Sequence, residues 1–155
     1  MTSMTLANGH WDYSKQMGTD AYAGFLYLIV NKETGKSYIG RKQYRVMGKK
    51  RSKGYGKSSN WRVYKSSAKP LLADIKALGN ESFDFYCIAE FVDKRDLHYA
   101  EVKAIMHYDA IVSDRWYNNH APEIYVPPPW TNFRYRRETL TTLIKRSVND
   151  GKARP

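Results

Sequence analysis

At 155 residues, 42% hydrophobic and 26% charged, the chain is long enough for one domain with a modest core and too apolar for a disordered polymer. A single cysteine, Cys87, excludes an internal disulfide or a cysteine-rich zinc site and suits a reducing cytoplasm. No window reaches the ~20 apolar residues of a membrane helix. Residues 1–20 hold Asp12 and Asp20 and lack the apolar run of a signal peptide.

The net charge is +11, and its distribution says more than its size. Residues 41–69 carry eleven basic side chains (Arg41, Lys42, Arg45, Lys49, Lys50, Arg51, Lys53, Lys57, Arg62, Lys65 and Lys69) and no acid, which equals the whole excess. So many like charges in one stretch repel one another, and a polyanion relieves that repulsion with release of counterions. Tyr44, Tyr55, Trp61 and Tyr64 are interleaved with the cations and no amphipathic membrane helix is present, so nucleic acid is expected ahead of acidic lipid or a merely solubilising loop.

In chain order, residues 1–22 are polar with scattered aromatics and are expected to form an arm or strap. Phe25 to Val30 is a β-branched and aromatic run. Asn31 to Gly35 supplies turn residues, and Lys36 to Gly40 resumes an extended pattern, which together predict a β-hairpin. Residues 41–65, with Gly48, Gly54 and Gly56, are expected to form a long loop or an interrupted helix. A helix is predicted from about Ser67 as N-cap, with Pro70 in its first turn, Leu71, Leu72, Ile75 and Leu78 as its apolar face, and Gly79 as its stop. Phe83 to Phe91 is expected to be a third strand.

The next helix is predicted from an Asp93 N-cap towards Asp109, with Leu97, Ala104, Ile105 and Tyr108 on one face. Glu101 falls inside that apolar arc, about 40° from Leu97 at 100° per residue. A carboxylate there is costly unless it bonds a buried Arg or Tyr or holds a metal, and helix geometry alone leaves both readings open. Pro122 and Pro127 to Pro129 then predict a stiff connector. Arg136 to about Asp150 is expected to be a basic amphipathic helix stopped by Gly151, with Leu140, Leu143, Ile144 and Val148 on one side. The expected organisation is an arm (1–22), a catalytic domain (23–121) and a Pro-rich connector with a C-terminal helix (122–155). The tail either packs on the domain or serves as a recognition arm.

The hairpin and the Glu101 helix together resemble the GIY-YIG nuclease family. Gly24-Phe-Leu-Tyr27 stands where the family has Gly-Ile-Tyr, and Tyr38-Ile39-Gly40 is intact eleven residues beyond Tyr27. The similarity continues through Ser59-Asn-Trp61-Arg-Val-Tyr64-Lys-Ser66-Ser67, Leu72 to Ile75, Gly79 to Phe83, Ala100-Glu101 and Tyr117-Asn118. It looks most like the compact, often phage-encoded members related to homing endonucleases, for which the location would be the host-cell cytoplasm. The resemblance implies an α+β fold, with a small three-stranded antiparallel sheet flanked by helices.

The same resemblance implies hydrolysis of DNA phosphodiesters. Tyr27 and Tyr38 would orient or deprotonate a water, and Glu101 would hold one Mg2+ or Mn2+. A basic residue would sit near the phosphate, and Asn118 would fix the site through hydrogen bonds. An ordinary tyrosine titrates near ~10, so a basic, metal-containing site is expected to lower it, with Arg41 and Lys42 close in sequence. The family's first glycine position holds Phe25. Its arginine has Arg41, Arg45 and Arg51 as candidates, of which Arg45 is favoured. His98 and His107 flank Glu101 and are ordinary helix histidines or a metal ligand. Lys49, Lys50, Arg51, Lys53, Lys57, Trp61, Arg62 and Lys65 are expected to contact DNA. With no large specificity domain, the loop, the tail or a homodimer partner would read the target. The alternatives are a non-catalytic nucleic-acid-binding module on the same scaffold, or a protein-interaction module whose basic strip meets an acidic partner.

Overall fold

The structure is a computed structural model and describes residues 7–46, 51, 53–123, 133–136 and 138–152. Lys49, Lys50, the Pro127 to Pro129 connector and Arg137 lie outside the described residues. The three expected strands are present as β1 (Gly24–Asn31), β2 (Ser37–Gln43) and β3 (Phe83–Phe91). They form an antiparallel sheet with β1 between the other two. The hairpin closes at Gly35, whose φ of 78° is easy for glycine and whose N–H donates to Asn31 O at 2.7 Å. A short fourth strand, β4 (Phe133–Tyr135), adds to the free edge of β3.

β1 is buried along its whole length because both faces of the sheet are covered. Phe25, Tyr27 and Ile29 point to one face. There they meet Phe85 and Cys87 of β3, Trp11, Tyr13 and Met17 of the N-terminal strap, Trp61, and Leu71 and Ile75 of α1 (Lys69–Leu78). Leu26, Leu28 and Val30 point to the other, where Leu97, Ala100 and Ile105 of α2 (Lys94–His107) and Leu143 of α3 (Leu140–Lys152) cover them. The pairing of β1 with β3 slips by one residue between Leu26 and Tyr27, a bulge that sharpens the local twist beside Tyr27.

Several helix signals read differently in three dimensions. Asp93 caps α2 as expected, accepting the Arg95 N–H at 2.7 Å. Ser67 does not cap α1: the cap position is Ala68, whose N–H bonds Ser66 Oγ at 2.9 Å. Of the expected apolar face, Leu71 and Ile75 are buried while Leu72 and Leu78 are exposed. Gly151 lies inside α3 and does not stop it. A Cβ there would run into the Lys32 carbonyl, so the glycine lets the helix approach the hairpin turn. The basic tail residues are engaged internally: Arg134 with Glu90, Arg136 with Glu138, and Arg146 with Asp12 and Glu138.

Candidate active site

The two tyrosines lie next to each other because Tyr27 on β1 is the register partner of Gly40 on β2, two residues beyond Tyr38 on the same side of the strand. Their ring centroids are 6.1 Å apart. A Cβ on Gly40 would overlap the Tyr27 phenol and stand 2.7 Å from Tyr38 Cε1. The glycine of the Tyr-Ile-Gly element is therefore the slot into which the Tyr27 ring fits. Tyr64 meets Tyr27 edge-on at 6.3 Å, and Lys42 Nζ sits 3.9 Å over the Tyr64 ring.

β2 is an edge strand, and its open side is covered by the segment after α2. Ser37 exchanges backbone bonds with Arg115 and Tyr117 at 3.0 and 2.8 Å. The Asn118 side chain then continues the ladder, accepting the Ile39 N–H at 3.0 Å and donating to the Ile39 carbonyl at 2.8 Å. Asn118 thus fixes the strand that carries Tyr38 and Arg41. Tyr117 anchors the segment by donating to Asp74 Oδ2 at 2.6 Å and accepting from Asn31 Nδ2 at 3.0 Å.

Glu101, 7% exposed, reaches this edge from α2. Its Oε2 lies 2.7 Å from Arg41 Nε, yet the Arg41 N–H is not aimed at it, so that buried oxygen has a charge partner without a directed hydrogen bond. Burial pushes the Glu101 carboxyl up to about 7 against the opposing pull of Arg41. Tyr38, Glu101, Asn118, Lys69, Ser67 and His120 line one cleft of about 440 Å³. Arg41, Lys42, Arg45, Ser59, Asn60 and Tyr64 line a second, free of carboxylates. A larger hollow of about 600 Å³ near Tyr22 and Val92 holds neither tyrosine nor Glu101.

Three expectations about these residues need correction. Arg41, not Arg45, meets Glu101: it shares the strand face of Ile39, on which α2 packs, whereas Arg45 lies past the end of β2 and pairs with Asp20. Trp61 is 1% exposed and packed edge-on to Tyr44 at 5.1 Å, so it cannot stack on a base. The side chains around the tyrosines do not by themselves lower them. Burial raises both, Tyr27 most, and Glu101 and the neighbouring phenols oppose ionisation further.

Among the other residues expected to contact DNA, Arg51, Lys53 and Lys57 are exposed and Lys65 is half-buried. Arg62 is exposed but donates to the Ala7 carbonyl at 2.9 Å and covers Trp61. His98 lies near Arg41, held neutral by burial first and by that charge second. His107 is exposed beside Tyr108.

A carboxylate oxygen without a directed donor, at the rim of an open cleft, is a fitting ligand for a divalent ion. Among the described residues no three His, Cys, Asp or Glu side chains stand together as a metal group. Mg2+ and Mn2+ take one or two carboxylates and complete their shell with water and substrate phosphate, which a single Glu101 carboxylate can serve. Among the described residues, no helix is long and apolar enough to cross a membrane. A family model described as putative endonuclease segE, GIY-YIG domain, matches residues 9–121, and so begins inside the N-terminal strap. No curated protein and no solved structure matches the chain.

Proposed function

The chain belongs to the GIY-YIG endonuclease family, and on that premise we propose that it hydrolyses DNA phosphodiesters with Tyr27, Tyr38, Arg41 and Glu101, assisted by one divalent ion. The convergence of a tyrosine pair, an arginine and a buried carboxylate on one edge strand of the sheet, beside a cleft, carries this reading. Tyr38 is the half-exposed member of the pair and holds the attacking water at the cleft. Tyr27, buried behind it, fixes the ring that does so. Both phenols are protonated at neutral pH, so they act first as hydrogen-bond donors and orienting groups.

Arg41, whose side chain is 31% exposed, turns from Glu101 to a non-bridging phosphoryl oxygen when substrate enters, where a guanidinium binds in a fork geometry. Glu101, released from Arg41, would hold Mg2+ or Mn2+, and the ion would supply charge to neutralise the developing phosphoryl oxyanion. Lys42 adds positive potential on the tyrosine face. Asn118 keeps Tyr38 and Arg41 in register. Exposed Arg51, Lys53 and Lys57 hold flanking phosphates, which position the duplex without reading its sequence.

Within this reading, a homing or mobility enzyme is favoured over restriction or repair, because the chain resembles the compact homing-type members of the family. A non-catalytic binding module does not need a buried carboxylate in a cleft beside two tyrosines. Digesting plasmid with and without Mg2+, then mapping the ends, tests the proposal: magnesium-dependent nicks or breaks support it. Salt-sensitive DNA retention without cleavage in either Mg2+ or Mn2+ would leave only the binding module.

A further inference from the structure

The cleft lined by Arg41, Lys42, Gln43, Arg45, Asn60 and Tyr64, of about 570 Å³, lies where β2 ends and the chain returns from the basic loop. Backbone bonds fix its frame. Arg45 and Ser58 form an antiparallel bridge, the Val46 N–H donates to Lys57 O at 2.8 Å, and the Ser59 N–H donates to Tyr44 O at 2.8 Å. Ser59 Oγ also donates to Gln43 O at 2.6 Å. Tyr44 in this frame is buried, and its hydroxyl donates to Glu90 Oε2 at 2.8 Å. The cleft is therefore held in shape by the core.

Of its three cations, two have carboxylate partners: Arg41 meets Glu101 and Arg45 meets Asp20. Lys42 has none among the described residues. Its Nζ lies 3.9 Å over the Tyr64 ring, which leaves its charge and its donors for a ligand. No carboxylate is among the described lining residues, so the cleft favours an anion. Two amides accompany the charge. Asn60 holds the N-cap position of the single 3-10 turn Trp61–Val63, yet its side chain makes no capping bond, although asparagine is a ready cap. Neither its amide nor that of Gln43 is hydrogen-bonded among the described residues. A primary amide offers donor and acceptor side by side, the pattern that matches a base edge. Arg41 joins this cleft to the chemistry, because its partner Glu101 lines the cleft that holds Tyr38. We propose that this cleft is the subsite for the nucleotide next to the cut: Lys42 holds its phosphate, and the Gln43 and Asn60 amides bond its base and make cleavage selective there.

This inference rests on the nuclease reading above and adds to it the source of selectivity. Cleavage of a randomised duplex pool in Mg2+, with the ends sequenced, reads the bases on each side of every cut. Wild type should prefer certain bases at a position beside the cut. Asn60→Ala and Gln43→Ala should each weaken that preference by about tenfold, the scale of one amide pair with a base edge, and leave preferences at other positions in place. Lys42→Gln should instead lower affinity for all sequences alike and reduce the salt slope by about 1, because a phosphate contact positions without specifying.

Side-chain amide resonances of the nitrogen-15 labelled wild-type chain give a readout independent of cleavage. On addition of a short duplex without Mg2+, those of Gln43 and Asn60, identified by their loss in the two alanine variants, should move. That of Asn8, which donates to the Lys15 carbonyl at 2.9 Å in the N-terminal strap, should stay in place. A wild type that cuts with no preference beside the cut, alanine variants that keep the preference, or unmoved Gln43 and Asn60 resonances overturn the inference and leave the nuclease reading intact. Resonances that move in a chain that cuts nothing remove the nuclease reading and keep the cleft as a nucleotide site.

Discussion

Burial opposes ionisation of Glu101, and that has a measurable consequence. Its carboxyl in the folded chain stands at about 7, above the ordinary 4.5, so folding takes up a proton between those values. The stability contributed by the neutral acid is complete below pH ~4.5 and is lost as pH rises through 7. Glu101→Gln should therefore gain stability relative to metal-free wild type across that window, by on the order of 2 kcal/mol. Chemical denaturation of both proteins at pH 5 and pH 8 measures the difference, and a difference independent of pH would mean that Glu101 is not desolvated. Saturating Mg2+ at pH 8 should raise the melting temperature of wild type by a few degrees and leave Glu101→Gln unmoved. Gly40 supplies a second residue-scale prediction. Because a methyl there overlaps the Tyr27 ring, Gly40→Ala should cost about 1–3 kcal/mol by overpacking and lower cleavage through displacement of the tyrosine pair. A variant that melts and cuts like wild type would show that the ring moves freely.

Among the elements, α3 and β4 follow the catalytic segment yet complete the same core. Leu143 is fully buried against the face carrying Leu26 and Leu28, and Arg134 of β4 pairs with the fully buried Glu90. Truncation before Phe133 uncovers that apolar face and leaves a buried carboxylate without its cation. The shortened chain should aggregate or lose its cooperative thermal transition in circular dichroism. A shortened chain that melts normally and cuts with altered site choice would make the tail a recognition arm. The strands, the Asp93 cap and the odd place of Glu101 were legible in the sequence because β-branched and aromatic runs bounded by turn residues, cap chemistry and helical angle are local properties. The faces of single residues were not. Arg41 and Arg45 are both cations near a strand end, and only the packing of α2 on one side of β2 distinguishes them. Trp61 lies within a basic strip and reads as a stacking platform, but the N-terminal strap folds over it.

At the scale of the whole molecule, charge and chemistry are arranged side by side. The basic strip of residues 41–69 begins on the strand that carries Tyr38, so on the proposed reading phosphates drawn to it would lie beside the cleft. DNA affinity should fall steeply with salt. Neutralising Arg51, Lys53 and Lys57 together should weaken binding to all sequences alike and reduce the salt slope by about 2–3, the scale of three lost phosphate contacts. An unchanged slope would place the DNA elsewhere. The central claim is that Glu101 serves the chemistry more than the affinity, and single-turnover cleavage of one labelled duplex by Glu101→Ala in Mg2+, with affinity measured in parallel, tests it most directly. The account predicts DNA binding within a few-fold of wild type with cleavage abolished. Full magnesium-dependent cleavage by Glu101→Ala would contradict it.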